Sequence, residues 1–245
     1  MSGHSKWATI KHAKGAADAK RGQIFTKLIK EISIAARMGG GSPDANPRLR
    51  TAILKARGAN MPKDNIDRAI KKGTGELEGV SYEELTYEAR LGEGAILIEV
   101  LTDNRNRAAA DVRNILTRAG AELAKSGSVS RLFKREGIIT LDGEKYTEDQ
   151  VMEAALDGGA EDVALSDGII EVTTAPEDFE AVANVLSEKG FETMSAEVSM
   201  VADVEVELDK EGTSKALKLI DKLEENEDVQ NVYSNVAIPD GFEDE

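Results

Sequence analysis

Catalytic chemistry needs positioned groups, and this chain offers few. Its only imidazoles are His4 and His12, both in a basic N-terminal stretch, and it has no cysteine. Zinc sites take their ligands mainly from Cys and His, so no metal centre is expected here. A Ser-His-Asp arrangement would have to recruit one of the same two histidines. Paired carboxylates such as Glu83-Glu84 and Glu224-Glu225 are abundant, but nothing singles one pair out from the solvated faces of an acidic chain. Gly39-Gly40-Gly41 follows a helical stretch, so it reads as a helix stop and not as a phosphate cradle. The P-loop pattern is absent, and Gly73-Thr74-Gly75 lacks the preceding strand that a dinucleotide fingerprint requires. The expectation is a protein that is not an enzyme, with no cofactor, no metal and no small-molecule substrate.

Polyanion binding is the chemistry the residues do support. The net charge is −15 over 245 residues, but it is not evenly spread. Through Gly75 there are 16 Lys and Arg against 5 Asp and Glu, a net of +11. From Glu76 onward there are 15 against 41, a net of −26. Such asymmetry marks a segment suited to nucleic acid. In the stretch His4, Ser5, Lys6, Trp7, Lys11, His12 and Lys14, cations and hydroxyl donors surround the only tryptophan. Lys and Arg neutralise phosphates and release counterions, and an indole either stacks on a base or caps an apolar face.

The elements that must hold these groups follow from periodicity. Ile24, Leu28, Ile32 and Ala35 mark one face of a first helix, and Lys20, Lys27, Lys30 and Arg37 a separate cationic sector. A second helix has Asn46 as cap, Pro47 in its first turn and its end at Gly58. A third runs from near Pro62 to Gly73. Their inward residues are Leu49, Ile53 and Ala56, then Ile66, Ala69 and Ile70. Beyond a linker from Gly73 to Gly79, Ala95 to Leu101 reads as a strand and Ala108 to Ala119 as a helix, with Arg105 and Arg107 in the turn between. Ser128 to Phe133 and Gly137 to Leu141 read as strands around a Lys134-Arg135 turn. A helix capped by Thr147, a hairpin at Ser166-Asp167-Gly168, and a helix opened by Pro176 follow. The chain closes with strands at Glu197 to Val201 and Asp203 to Leu208, a helix from Thr213 to Leu223, and a strand from Val229 to Val236.

The middle block has the βαββαβ order of a ferredoxin-like unit, and the flanking βαβ blocks pair as halves of a second. The fold class is therefore α+β: an N-terminal three-helix module plus two ferredoxin-like α/β domains, one inserted in the other. The expected boundaries are 1–76 for the basic helical domain, 80–135 with 203–245 for one ferredoxin-like domain, and 136–202 for the insert. A strictly sequential arrangement is the alternative. No apolar run approaches the roughly 18 residues of a membrane span, and the N-terminus lacks the apolar core of a secretory signal. With no cysteine, the expectation is a cytoplasmic protein without a membrane partner.

Several motifs together resemble the YebC family: GHSKW at Gly3 to Trp7, the stretch from Ile10 to Ile32, and ARMGGGSPDANPRLR at Ala36 to Arg50. So do NMPKDNIDRAIKKGTG at Asn60 to Gly75, TDNRNRAAADVR at Thr102 to Arg113, GSVSRLF at Gly127 to Phe133 and AEVSM at Ala196 to Met200. One departure is Ala13, where many relatives carry another basic residue. The resemblance covers nearly the whole chain. It implies a three-domain cytoplasmic regulator of gene expression, of the class described as DNA-binding transcriptional regulators. Relatives that include the mitochondrial translational activator of cytochrome c oxidase instead act with the ribosome, helping elongation through proline runs. The implied partner is thus nucleic acid, duplex DNA or ribosomal RNA, with the ribosome itself as a further candidate. Carried onto this chain, the candidate contacts are His4, Ser5, Lys6, Trp7, Lys11, His12, Lys14, Lys20, Arg21, Lys27 and Lys30. Arg48, Arg50, Lys63, Arg68, Lys71 and Lys72 join them from the later helices, and Arg105 and Arg107 from outside the module.

Overall fold

The computed structural model describes residues 19–239 and Phe242. Three helices come first: α1 (Ala19–Gly39), α2 (Pro47–Gly58) and α3 (Lys63–Thr74). Their ends follow local chemistry. Gly40, at φ 87°, closes α1, Asn46 Oδ1 accepts from Leu49 N at 3.1 Å to start α2, and Gly75, at φ 84°, ends α3 in the left-handed conformation that glycine tolerates. Ile32, Ala35 and Ala36 of α1 pack with Leu49, Ala52, Ile53 and Ala56 of α2 and with Ile66 and Ala69 of α3. The contact between α1 and α3 is close. A Cβ at Gly73 would lie 2.2 Å from the Ser33 carbonyl oxygen. One residue of the expected α1 stripe is displaced: Ile24 is 46% exposed, while Phe25 and Ile29 join Leu28 against the core.

The body holds β1 (Glu83–Leu91), β2 (Gly94–Thr102), α4 (Arg105–Arg118), β3 (Glu122–Leu123), β4 (Phe133–Asp142) and α5 (Glu148–Leu156). Then come β5 (Asp162–Ser166), β6 (Ile169–Thr174), α6 (Phe179–Glu188), β7 (Thr193–Ala202), α7 (Lys210–Glu224) and β8 (Val229–Ser234). They form two four-stranded sheets, ordered β3-β1-β2-β8 and β5-β6-β4-β7, in which every paired neighbour is antiparallel. The second sheet uses contiguous chain in the order βαββαβ. Ile139, Leu141, Ile170 and Val172 meet Val151, Ala155, Val182 and Leu186 of its two helices. Its β5–β6 hairpin turns at Asp167 (φ 50°) and Gly168 (φ 75°), the positive pair a tight two-residue turn demands.

The first sheet departs from the sequence reading in its strand sources. One of its two inner strands is β1, which lies between β3 and β2 and pairs with β2 from Glu83–Thr102 to Leu91–Gly94 around a turn at Gly92 (φ 59°). The sequence reading had no strand here and placed one at Asp203 to Leu208. That later stretch contributes only an isolated bridge, Val206 to Val236. The alternation Leu85, Tyr87, Ala89, Leu91 was present in β1, but Glu83, Glu84 and Glu88 masked it. Ser128 to Phe133 is also not a strand: Ser130–Leu132 is a 3-10 turn. The reason is Glu88, whose buried carboxylate accepts backbone N–H groups from Gly127 at 2.6 Å and Ser130 at 3.0 Å, and from Val129. Those donors are therefore unavailable to a ladder. Lys134-Arg135 is no turn but lies inside β4, and Arg105 and Arg107 form the first turn of α4 instead of preceding it.

The two sheets meet through a small cluster in which Ala95, Leu97, Val129, Phe133 and Tyr233 touch Met200 and Ala202 of β7. All strands of the second sheet fall between residues of the first, since β3 ends at Leu123 and β8 starts at Val229. On this topology we propose three domains in the nested arrangement, with the insert bounded near 133–202 by its strands. A 133–202 fragment should unfold cooperatively on heating with a native-like circular dichroism spectrum. A fragment lacking any thermal transition would return the body to a single folding unit.

Candidate nucleic-acid interface

The cationic sector of α1 exists, but the protein itself occupies much of it. Lys30 is 6% exposed. Its ammonium lies 2.6 Å from Asp228 Oδ1 and donates to the carbonyls of Glu227 at 2.9 Å and Leu101 at 3.4 Å, which uses all three N–H donors of a lysine. Lys27 donates to the Glu224 carbonyl at 2.7 Å, and Gln23 to that of Glu225 at 3.4 Å. Positions 23, 27 and 30 share one helix face, and that face meets the C-terminal end of α7. Unpaired carbonyls and the negative end of the helix dipole attract cations there. Arg37 donates to Ser81 Oγ. The sector expected to face solvent is thus the dock between the helical unit and the first sheet.

Asp228 is the centre of that dock. Besides Lys30 it accepts from Arg107 Nη2 at 2.9 Å and Thr102 Oγ1 at 3.0 Å. Arg107 also pairs with Asp103 at 2.6 Å, and Asn104 caps α4 through its bond from Arg107 N at 3.0 Å. Burial works against ionisation of Asp228, but Lys30 and Arg107 outweigh it and hold the carboxyl below its usual range. Glu88 is alike: burial opposes its charge, and the backbone donors of Gly127, Val129 and Ser130 keep its carboxyl low.

Two other candidate cations are also engaged. Arg48 forms a pair with Glu31 at 2.7 Å and a second with Glu84. Arg50 meets both carboxylate oxygens of Glu180 at 3.1 Å. Lys55, which was not among the sequence candidates, pairs with Glu197 at 3.0 Å. Those partners stand far away in sequence, so no local pattern announced them; among the candidate cations, the described residues give an i,i+4 signal only at Asp103–Arg107.

What remains open is the outer face of α3. Lys63, Arg68, Lys71 and Lys72 are exposed, and among the described residues none has a hydrogen-bond or ion-pair partner for its charged group. Ile66 and Ala69 hold the opposite face in the core. Arg57 on α2 and Arg105 and Arg113 on α4 are likewise exposed; Arg57 and Arg113 were not sequence candidates. Lys20 and Arg21 lie in the first turn of α1. The candidates His4, Ser5, Lys6, Trp7, Lys11, His12 and Lys14 lie outside the described residues.

Two outcomes follow for the dock. Asp228→Asn leaves Lys30 buried without its counter-ion and should cost about 3 kcal/mol. Lys30→Gln should cost less, because Arg107 and Thr102 still satisfy Asp228. Urea denaturation of both variants checks the order. Low folded-state values for Asp228 and Glu88 mean stability that is complete above the unfolded carboxylate pKa of about 4 and lost as pH falls through the folded values. The urea midpoint should therefore drop below about pH 4, and less steeply in Asp228→Asn and Glu88→Gln.

Among the described residues, no helix is long and apolar enough to cross a membrane. Residues 5–76 match the family model described as the TACO1/YebC protein N-terminal domain, and residues 82–236 match that of the TACO1/YebC second and third domain. A Treponema denticola protein named as a probable transcriptional regulatory protein is 67% identical over 245 residues, covering 99% of both chains. One of the same name from Trichlorobacter lovleyi is 55% identical, covering 97% of this chain and 96% of its own. The crystal structure of a conserved hypothetical protein from Aquifex aeolicus has 43% identity and a TM-score of 0.82, covering 91% of this chain and 93% of that one. Near-complete coverage by relatives at this identity, with the same three helices and paired sheets, decides the matter: the chain belongs to the TACO1/YebC family.

Proposed function

We propose that this protein is a non-enzymatic regulator of gene expression that binds nucleic acid, acting on duplex DNA as a transcriptional regulator. The observation that carries the reading is the outer face of α3, where Lys63, Arg68, Lys71 and Lys72 stand exposed and without a partner among the described residues, within the net-positive first 75 residues of the chain. Four cations on one short helix neutralise phosphates and release counterions, a gain that needs no base sequence. The rest of the chain, at −26, is repelled by the same polyanion and so turns the helical unit toward it. The names carried by relatives from Treponema denticola and Trichlorobacter lovleyi, probable transcriptional regulatory protein, agree with this reading.

A second reading, a ribosome-associated factor that contacts ribosomal or transfer RNA and assists elongation through proline runs, rests on the acids of the same helix. Asp64 and Asp67 are exposed among the cations, and in a groove they would suit only a cytosine amino group. Acids held near groove phosphates weaken duplex binding, whereas an irregular RNA surface recognised by shape accommodates them.

Replacing Lys63, Arg68, Lys71 and Lys72 with glutamine should leave circular dichroism native and weaken binding to every sequence tested. The salt slope on duplex DNA should flatten by roughly 0.9 per lost phosphate contact. An unchanged slope would mean that these cations are only solvated. Sedimentation with ribosomes and translation of a proline-run reporter separate the two readings. A footprint on one promoter, without ribosome association, favours transcription; ribosome association without DNA sequence preference favours translation.

A further inference from the structure

The helical unit touches the second sheet in a different way from the first. Against the first sheet it has the buried Lys30–Asp228 pair. Against the second, the polar contacts found among the described residues are Arg50 with Glu180 and Lys55 with Glu197, at 3.1 and 3.0 Å, all four side chains partly exposed. Among the described residues no apolar cluster spans this seam: the helical core ends within α1 to α3, and the core of the second sheet within its own strands, helices and connecting loops. Leu54, four residues after Arg50 and next to Lys55, is 60% exposed, so apolar packing does not seal it either. Half-exposed ion pairs contribute little and are screened by salt.

We infer that this seam is a masked phosphate-binding surface, in which Glu180 and Glu197 stand where the phosphates of a nucleic-acid strand would lie against Arg50 and Lys55. A phosphodiester offers each cation the same partner chemistry as a carboxylate, and Arg receives both in bidentate fashion. Arg50 meets Glu180 through one nitrogen, Nη2, with both carboxylate oxygens at 3.1 Å, while its Nη1 donates to the Pro43 carbonyl at 3.0 Å. A strand first held by α3 presents its next phosphates at high local concentration. Exchange of two weak pairs then lengthens the contact from α3 onto α2. The buried Lys30–Asp228 pair has no such exchange open to it and stays as the pivot. The acidic body thus acts as an internal competitor that sets how much polyanion is needed to open the seam. This inference rests on the nucleic-acid reading above.

The test uses the full chain with two probes, a duplex DNA and a single-stranded RNA of mixed sequence. Glu180→Gln with Glu197→Gln should tighten binding about 3- to 10-fold at moderate salt, the range set by two exposed pairs. A control of equal charge, Glu144→Gln with Glu153→Gln, should shift it far less. In the opposite direction, Leu54→Cys with Asn184→Cys places the only two cysteines of the chain on α2 and α6. Closing them with a short bis-maleimide should weaken binding and reduce the salt slope by up to two phosphate contacts. Circular dichroism verifies that each variant is folded. If the wild type binds but the seam variants match the control and the cross-linked form binds as well as the open one, the masked surface is wrong and the nucleic-acid reading stands. If the wild type binds neither probe, both fall. A response to one probe alone identifies the strand type that enters the seam.

Discussion

A single buried ion pair sets the relation between the cationic and acidic halves of this chain. Lys30 comes from a helix whose own core lies on another side, and Asp228 from the turn that feeds β8 into the first sheet. Their contact ties the +11 segment to the −26 remainder at one defined point. A buried pair of this kind is weak evidence for net stability, because taking both charges out of water costs nearly as much as their attraction returns. Its value is positional. With three donors of Lys30 and both oxygens of Asp228 engaged, few other dockings of α1 satisfy the same groups.

From that point the rest of the surface divides into committed and uncommitted cations. Lys27 and Lys30 meet the C-terminal end of α7 and the turn after it, Arg48 and Arg50 meet carboxylates on either side, and only α3 offers a row of charges without partners among the described residues. A basic segment attached to a strongly acidic body would be expected to collapse onto it unselectively. Here the collapse is selective: α3 is packed through Ile66 and Ala69 against α1, and its cations have no carboxylate partner among the described residues.

The first sheet explains why the dock is placed where it is. Its strands come from both ends of the body, so α7 and β8 must return across the inserted second sheet to complete it. The α7–β8 turn brings Asp228 beside Thr102 at the end of β2, and Arg107 reaches the same carboxylate from the first turn of α4. The motif TDNRNR is thus chiefly architectural: a helix cap, a local ion pair and one arm of the Asp228 hub. GSVSRLF has a comparable role, as the turn that Glu88 holds by its backbone.

The sequence by itself determined what depends on near neighbours. The caps at Asn46 and Thr147, the glycine stop of α1, the Asp167-Gly168 turn and the βαββαβ order all follow from spacings within a few residues, and the charge split from simple counting. Helix α3 instead runs through Gly73, read from sequence as its end, and stops at Gly75. The family motifs were equally legible, being contiguous strings. Tertiary structure alone decided which cations face solvent. Lys30 and Lys63 are both lysines on amphipathic helices, and the difference between them is Asp228, which is 198 positions from Lys30 in the chain. Tertiary structure also decided the source of the strand between β3 and β2 in the first sheet. The stretch at 83–91 is rich in glutamate, and it becomes a strand because β2 pairs along it and a distant turn satisfies Glu88. Pairing across such separations leaves no periodic trace, since either partner reads locally as a solvated charge.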